Sequence, residues 1–95
     1  MPGMYGVTWR IDYLKSASRD LARLDPAVRK RIRRFLHERL AHMEDPRQLG
    51  KRLQGQKDEF WRFRVGHYRL VCTIEDGHMI VLVVRVGHRR EVYRG

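Results

Sequence analysis

The apolar residues of this chain change period once, near residue 60, and that change limits what it can fold into. Before it they recur at helical spacing. Leu14, Ala17, Leu21 and Leu24 predict a helix from about Asp12 to Arg23. Asp25-Pro26 then supplies an N-cap and a first-turn proline for a second helix. Its apolar stripe is Val28, Ile32, Phe35, Leu36, Leu40 and Met43, with Arg29, Lys30, Arg31, Arg33 and Arg34 around the remainder. Asp45-Pro46 ends it, because the residue before a proline is driven out of the helical region. These segments predict a helical hairpin with one buried face.

Beyond the change, residues alternate. "EFWRFRV" sets Trp61, Phe63 and Val65 against Arg62 and Arg64. After a Gly66-His67 turn, "YRLVCTIE" sets Tyr68, Leu70, Cys72 and Ile74 against Arg69, Val71 and Thr73. The "EDGH" turn leads into "MIVLVVRV", the most apolar strand and the expected centre of the sheet. A further short strand is expected at the N-terminus, over Met4 to Arg10, where Val7 and Trp9 alternate. The expected fold is therefore α+β and one domain over residues 1–95: an N-terminal strand, a helical hairpin, then a three-strand antiparallel meander. The helices cover one face of the sheet. Alternation sends Arg62, Arg64 and Arg69 to the other, on strands ~4.8 Å apart, where like charges destabilise the sheet. Stability alone does not explain such a face; a phosphate backbone lying across it does.

The overall charge agrees. Lys plus Arg number 21 against 11 Asp plus Glu, a formal +10 carried mostly by arginine. Arginine pairs bidentately with phosphate and stacks on bases, which favours nucleic acid over an acidic protein as the ligand class, although the two are compatible. Cys72 is the sole cysteine, so an intramolecular disulfide and a thiolate zinc site are both excluded, as in a reducing cytoplasm. No apolar run approaches the ~20 residues of a membrane span, and "MPGMYGVTWR" has no signal core, so the expected location is cytoplasmic, away from the membrane.

Three elements in order carry a resemblance: the alternating basic strand, "G-x-Y-R-L-V" on the next, and "V-G-H-R-R-x-V-Y" after the last. With "LGKRLQG" ahead of them, the chain resembles the RelE toxin family of bacterial toxin–antitoxin systems, within the RelE/ParE superfamily. The resemblance runs from the first strand to the C-terminal motif. It implies a small α+β toxin that cleaves messenger RNA in the ribosomal A site without a metal or other cofactor. It also implies a RelB-like antitoxin that wraps and silences the toxin, and operator DNA reached only through the antitoxin complex. Carried over residue by residue, the basic strand positions fall on Arg62 and Arg64, the "Y-R" arginine on Arg69, the next on Arg89 and the tyrosine on Tyr93. His88 stands where some members have lysine, and the short Gly87–Tyr93 segment leaves Arg89 and Arg90 both open for the phosphate-clamping place.

RNA cleavage through the 2′-OH needs a base, stabilisation of the phosphorane-like charge, and help for the departing oxygen. Arginine is a poor proton shuttle and a strong oxyanion clamp. A tyrosine among arginines has its pKa drawn down from ~10. The expected assignment is Tyr93 as base, Arg69 and Arg89 on the scissile phosphate, and His88 as candidate acid. Arg62, Arg64, Arg90 and Arg94 hold the RNA. Taken singly each residue has a plainer reading: Tyr93 as a terminal aromatic on the sheet, His88 as an RNA contact only, and Arg29 to Arg34 as a solvated helix face. Two other functions fit the same chain. A ParE-like gyrase poison would share the fold and lack the ribonuclease residues. A non-catalytic RNA-binding module is told apart by Tyr93→Phe, since binding would survive in either case and only an enzyme would lose toxicity.

Overall fold

The computed structural model describes residues 8–53 and 59–88. Strand β1 (Arg10–Tyr13) leads to helix α1 (Lys15–Ala22) and helix α2 (Pro26–Arg34). A wide π-helical turn (Phe35–Arg39) and a 3-10 turn (Leu40–His42) extend α2, and a second 3-10 turn covers Pro46–Leu49. Strands β2 (Lys51–Arg52), β3 (Trp61–Val65), β4 (Tyr68–Glu75) and β5 (Ile80–His88) complete a five-stranded sheet in the order β1-β5-β4-β3-β2.

The antiparallel meander is present as β3, β4 and β5, with β5 central in the sense that it is paired on both sides. Three features differ from the sequence expectation: the short strand β2 is added, the first strand is displaced, and Leu14 leaves the core. The first strand lies at Arg10–Tyr13, not Met4–Arg10, and runs parallel to β5. It takes Asp12 and Tyr13 from the expected helix, which begins at Lys15. Met4 to Val7 lie outside the described residues. Leu14, expected in the core, is 41% exposed because it precedes the helix and is held in an extended conformation, its N–H donated to the Val83 carbonyl at 2.9 Å.

The core is one-sided. Phe63, Val65, Leu70, Cys72, Val81, Val83 and Val86 pack against Ala17 and Leu21 of α1 and against Ile32, Leu36 and Leu40. The last three repeat every four residues, so on a 3.6-residue turn each would drift ~40° from the one before. The π-helical turn takes up that drift and keeps Leu36 and Leu40 fully buried under the sheet. Arg29 is no plain solvated residue, since its Nη1 donates to the carbonyls of Leu21 and Leu24 and closes the end of α1.

Beyond Val83, β5 has no partner from β1, and α1 supplies a substitute. Ser16 Oγ donates to the Val84 carbonyl at 2.6 Å, and Asp20 Oδ2 accepts from the Val86 N–H at 2.9 Å. One helical turn separates the two side chains, matching the two-residue repeat of the strand edge.

Candidate RNA-binding face

The arginines are set by cross-strand register. Arg64 pairs with Arg69, which pairs with Gly87 on β5. In the adjacent row Lys51 pairs with Arg62, Arg62 with Val71, and Val71 with Arg85. Residues paired across a ladder share a face, so Lys51, Arg62, Arg64, Arg69 and Arg85 stand together on the face away from the helices. Val71 is buried among them at 8% exposure, an apolar floor to a basic surface.

A β-bulge decides who is on that face. Val83 opposes Cys72, while Arg85 opposes Val71, leaving Val84 over. Strict alternation from buried Val81 and Val83 would turn Arg85 into the core and His88 toward the arginines. The extra residue reverses the parity. Val86 goes into the core, and Arg85 turns away from it, its Nε reaching round the β5 edge to donate to Asp20 of α1 at 2.9 Å. His88 is carried to the other side. It pairs with Tyr68, lies edge-on to that ring at 5.8 Å, and stacks on His67 at 6.5 Å. The structure therefore brings Arg62, Arg64 and Arg69 together and separates His88 from them. Arg89, Arg90, Tyr93 and Arg94 lie outside the described residues.

A pocket of about 140 Å³ opens at the β2–β3 side of this face, lined by Lys51, Arg62, Arg64 and Arg69 with Leu49 and Phe63 as its apolar wall. Sequence reasoning missed Lys51, because a two-residue strand has no periodicity to detect; its only signal was the "LGKRLQG" segment. Gly50 is required beside it, since a Cβ there would lie 2.7 Å from the Phe63 ring and 2.9 Å from the Arg62 carbonyl oxygen. Arg47 holds the approach to β2. Its guanidinium forks onto Asp76 at 2.7 and 3.0 Å, donates to Asp45 Oδ1 at 3.3 Å, and lies 5.7 Å from the centre of the Trp61 ring. The described lining is cationic and apolar, with no carboxylate or imidazole in it. Such a set binds and neutralises phosphate oxygens and holds developing negative charge, but it moves no proton at neutral pH.

A phenol does stand elsewhere. Tyr13 on β1 hydrogen-bonds His37 Nε2 at 2.8 Å, under the Arg33 guanidinium at 5.4 Å. Burial pushes its pKa up, against a smaller downward pull from Arg33. It belongs to the opposite edge of the sheet from the arginine pocket. Cys72, fully buried, has its thiol pushed up by desolvation and is no nucleophile.

Comparison with known proteins places this geometry. Residues 11–93 match the family model described as the ParE toxin of the type II toxin–antitoxin system parDE. Toxin RelG of Mycobacterium tuberculosis is 31% identical over 86 residues, spanning 90% of this chain and 97% of RelG. The chain belongs to the RelE family of toxins, within the RelE/ParE superfamily. Toxin RelE of the same organism is 33% identical to this toxin over 79 residues, covering 83% of this chain and 79% of the relative. Among solved structures, the toxin in the RelBE2 toxin–antitoxin complex of Mycobacterium tuberculosis superposes with a TM-score of 0.80 at 30% identity, over 90% of this chain and 95% of that one. The intact E. coli RelBE toxin–antitoxin complex gives 0.67 at 29% identity, over 84% and 95%. The toxin thus has the RelE fold and is a toxin of a type II toxin–antitoxin system. No helix among its described residues is long and apolar enough to cross a membrane.

Proposed function

We propose that this toxin is an mRNA endoribonuclease that acts in the ribosomal A site, in the cytoplasm, and is silenced by a RelB-like antitoxin. The observation that carries the reading is the pocket in which Lys51, Arg62, Arg64 and Arg69 converge on one cationic surface. The 2′-oxygen attacks phosphorus while its proton passes to Tyr93, and the bond to the 5′-oxygen breaks, leaving a cyclic phosphate and a free 5′-hydroxyl. Arg69 and Arg89 hold the non-bridging oxygens as charge grows on them; Arg90 is the alternative for the second place. Arg62 and Arg64, with Arg94, position the strand. No cofactor or metal enters these steps. His88, turned to the Tyr68 side of β5, has no part in the chemistry, and solvent protonates the leaving oxygen. A site so rich in clamps and so poor in proton shuttles depends on a substrate already held and bent, which the ribosome supplies. Operator DNA is reached only as part of the antitoxin complex, where related toxins form RelB–RelE assemblies.

Induced expression of the wild type, Arg69→Ala and Tyr93→Phe, read by primer extension on a translated message, tests this. Cuts within codons are expected, absent from both variants and abolished when translation initiation is blocked. The family model bears the ParE name, so a gyrase-directed toxin is the second reading. Growth arrest with trapped gyrase–DNA complexes and intact messages would establish it instead. Survival of cleavage in Tyr93→Phe would remove the tyrosine from the mechanism. RNA binding without cleavage in the wild type would leave a binding module only.

A further inference from the structure

The arginine face does not stop at the sheet. Arg64 lines the pocket on the open face and also a larger groove of about 410 Å³ between α2 and the β3–β4 turn. The other rim of that groove is Arg31, Arg34 and Arg39, from α2 and the π-helical turn. Its floor is apolar, formed by Phe35 and buried Val65. Glu38 is the one carboxylate in the lining, and none of the four arginines is within ion-pair distance of a carboxylate among the described residues.

Two details show how the groove is kept open. β2 pairs only with Trp61 and Arg62, so the outer edge of β3 beyond them faces the groove. At its mouth, Gly66 takes a left-handed φ of 61°, and a Cβ there would lie 3.0 Å from the Arg31 guanidinium. Glycine at 66 lets Arg31 lie across the turn and joins the helix to the hairpin as one cationic rim.

We infer that this groove takes the continuation of a single-stranded RNA, so that a strand cleaved at the sheet pocket runs past Arg64 and across Arg31, Arg34 and Arg39. The inference rests on the proposed RNA substrate and extends it to a second, non-catalytic stretch of contact. Three features favour RNA over an acidic peptide. The groove is continuous with the phosphate pocket through one shared side chain. Its cations are all arginine, whose planar fork grips phosphate bidentately. Its floor offers an aromatic ring, Phe35, 6.3 Å from Phe63, on which a splayed base can rest. Clustered like charges cost stability, and a polyanion removes that cost.

The test uses antitoxin-free toxin and fluorescence anisotropy with 2′-O-methyl RNA, which cannot be cleaved: a trinucleotide that fills the pocket alone, and a 12-mer long enough to reach the groove. The variants are Arg31→Ala/Arg34→Ala/Arg39→Ala and the corresponding triple lysine, each checked by thermal melting. The alanine variant is expected to bind the 12-mer ~10-fold or more weakly, with a salt slope less steep by about two, as loss of three phosphate contacts requires. Trinucleotide binding is expected to be unchanged, and the lysine variant to keep the wild-type slope. An unchanged 12-mer slope overturns the inference, as does an equal loss for both lengths, which would mean only a weaker overall field. Wild-type toxin that binds neither RNA overturns it too. If the alanine variant keeps the 12-mer but no longer copurifies with its antitoxin, the groove is a protein site. Because no cleavage or ribosome is involved, failure of the nuclease reading would show in primer extension and not here.

Discussion

Arg64 stands directly across the β3–β4 ladder from Arg69, two guanidiniums on neighbouring strands of one face. Opposed like charges oppose folding. Replacing Arg64 with Gln, which keeps the length of the stem, is expected to stabilise the toxin by about 0.5 kcal/mol, a few degrees in Tm for a domain of this size. The gain should shrink in 1 M salt, where such repulsion is screened. RNA binding should weaken in the same variant. Calorimetry at low and high salt checks the first part, and a lower Tm for Arg64→Gln at low salt would show that the pair is not strained.

The side chain of Asp20, 12% exposed, accepts from the Val86 N–H and from Arg85. Asp20→Ala leaves a strand N–H without its acceptor and is expected to cost about 1–3 kcal/mol, whereas Asp20→Asn retains an oxygen there and should cost less. Urea denaturation of the two variants provides the comparison. Equal losses would mean that the charge, and not the backbone contact, is what matters.

Acid should loosen the rim of the site. The fork of Arg47 holds the Asp76 carboxyl below its ordinary 3.8. A carboxyl depressed by folding contributes stability that is present above its unfolded pKa and is lost as pH falls through the folded value. The Tm difference between wild type and Asp76→Asn should therefore be constant near neutrality and close as pH falls below ~4. A difference that persisted to about pH 2 would contradict the assignment.

Cys72 is fully buried and its thiol is pushed up by desolvation. Iodoacetamide labelling should be negligible in the native toxin and appear along the same denaturant curve as the loss of circular dichroism. Labelling well before unfolding would reveal local opening of β4.

Much of this was legible in the chain. The meander, and the separation of Arg62, Arg64 and Arg69 from Phe63 and Leu70, follow from alternation alone, because a strand with one buried face has only one workable parity. The parallel seat of β1 on β5 was not legible, since it joins distant segments and a four-residue strand carries little pattern. The side of β5 on which His88 falls was not legible either, for a sharper reason. Period-two reasoning assumes an unbroken ladder, and one extra residue at Val84 inverts everything after it. Lys51 escaped for want of length: its contribution comes from its neighbour across the ladder, not from its own segment.

The two side chains that α1 lays along β5 have a consequence for the toxin in a crowded cell. An open strand edge is a template for any passing extended chain. Ser16 and Asp20 occupy that template where β1 has ended, over the residues that turn Arg85 outward and lead toward the C-terminal arginines. Strand exchange between toxin molecules cannot start there without first peeling the helix away. Misassembly has to begin at another edge, and the stretch whose register sorts core from arginine face is sealed against it.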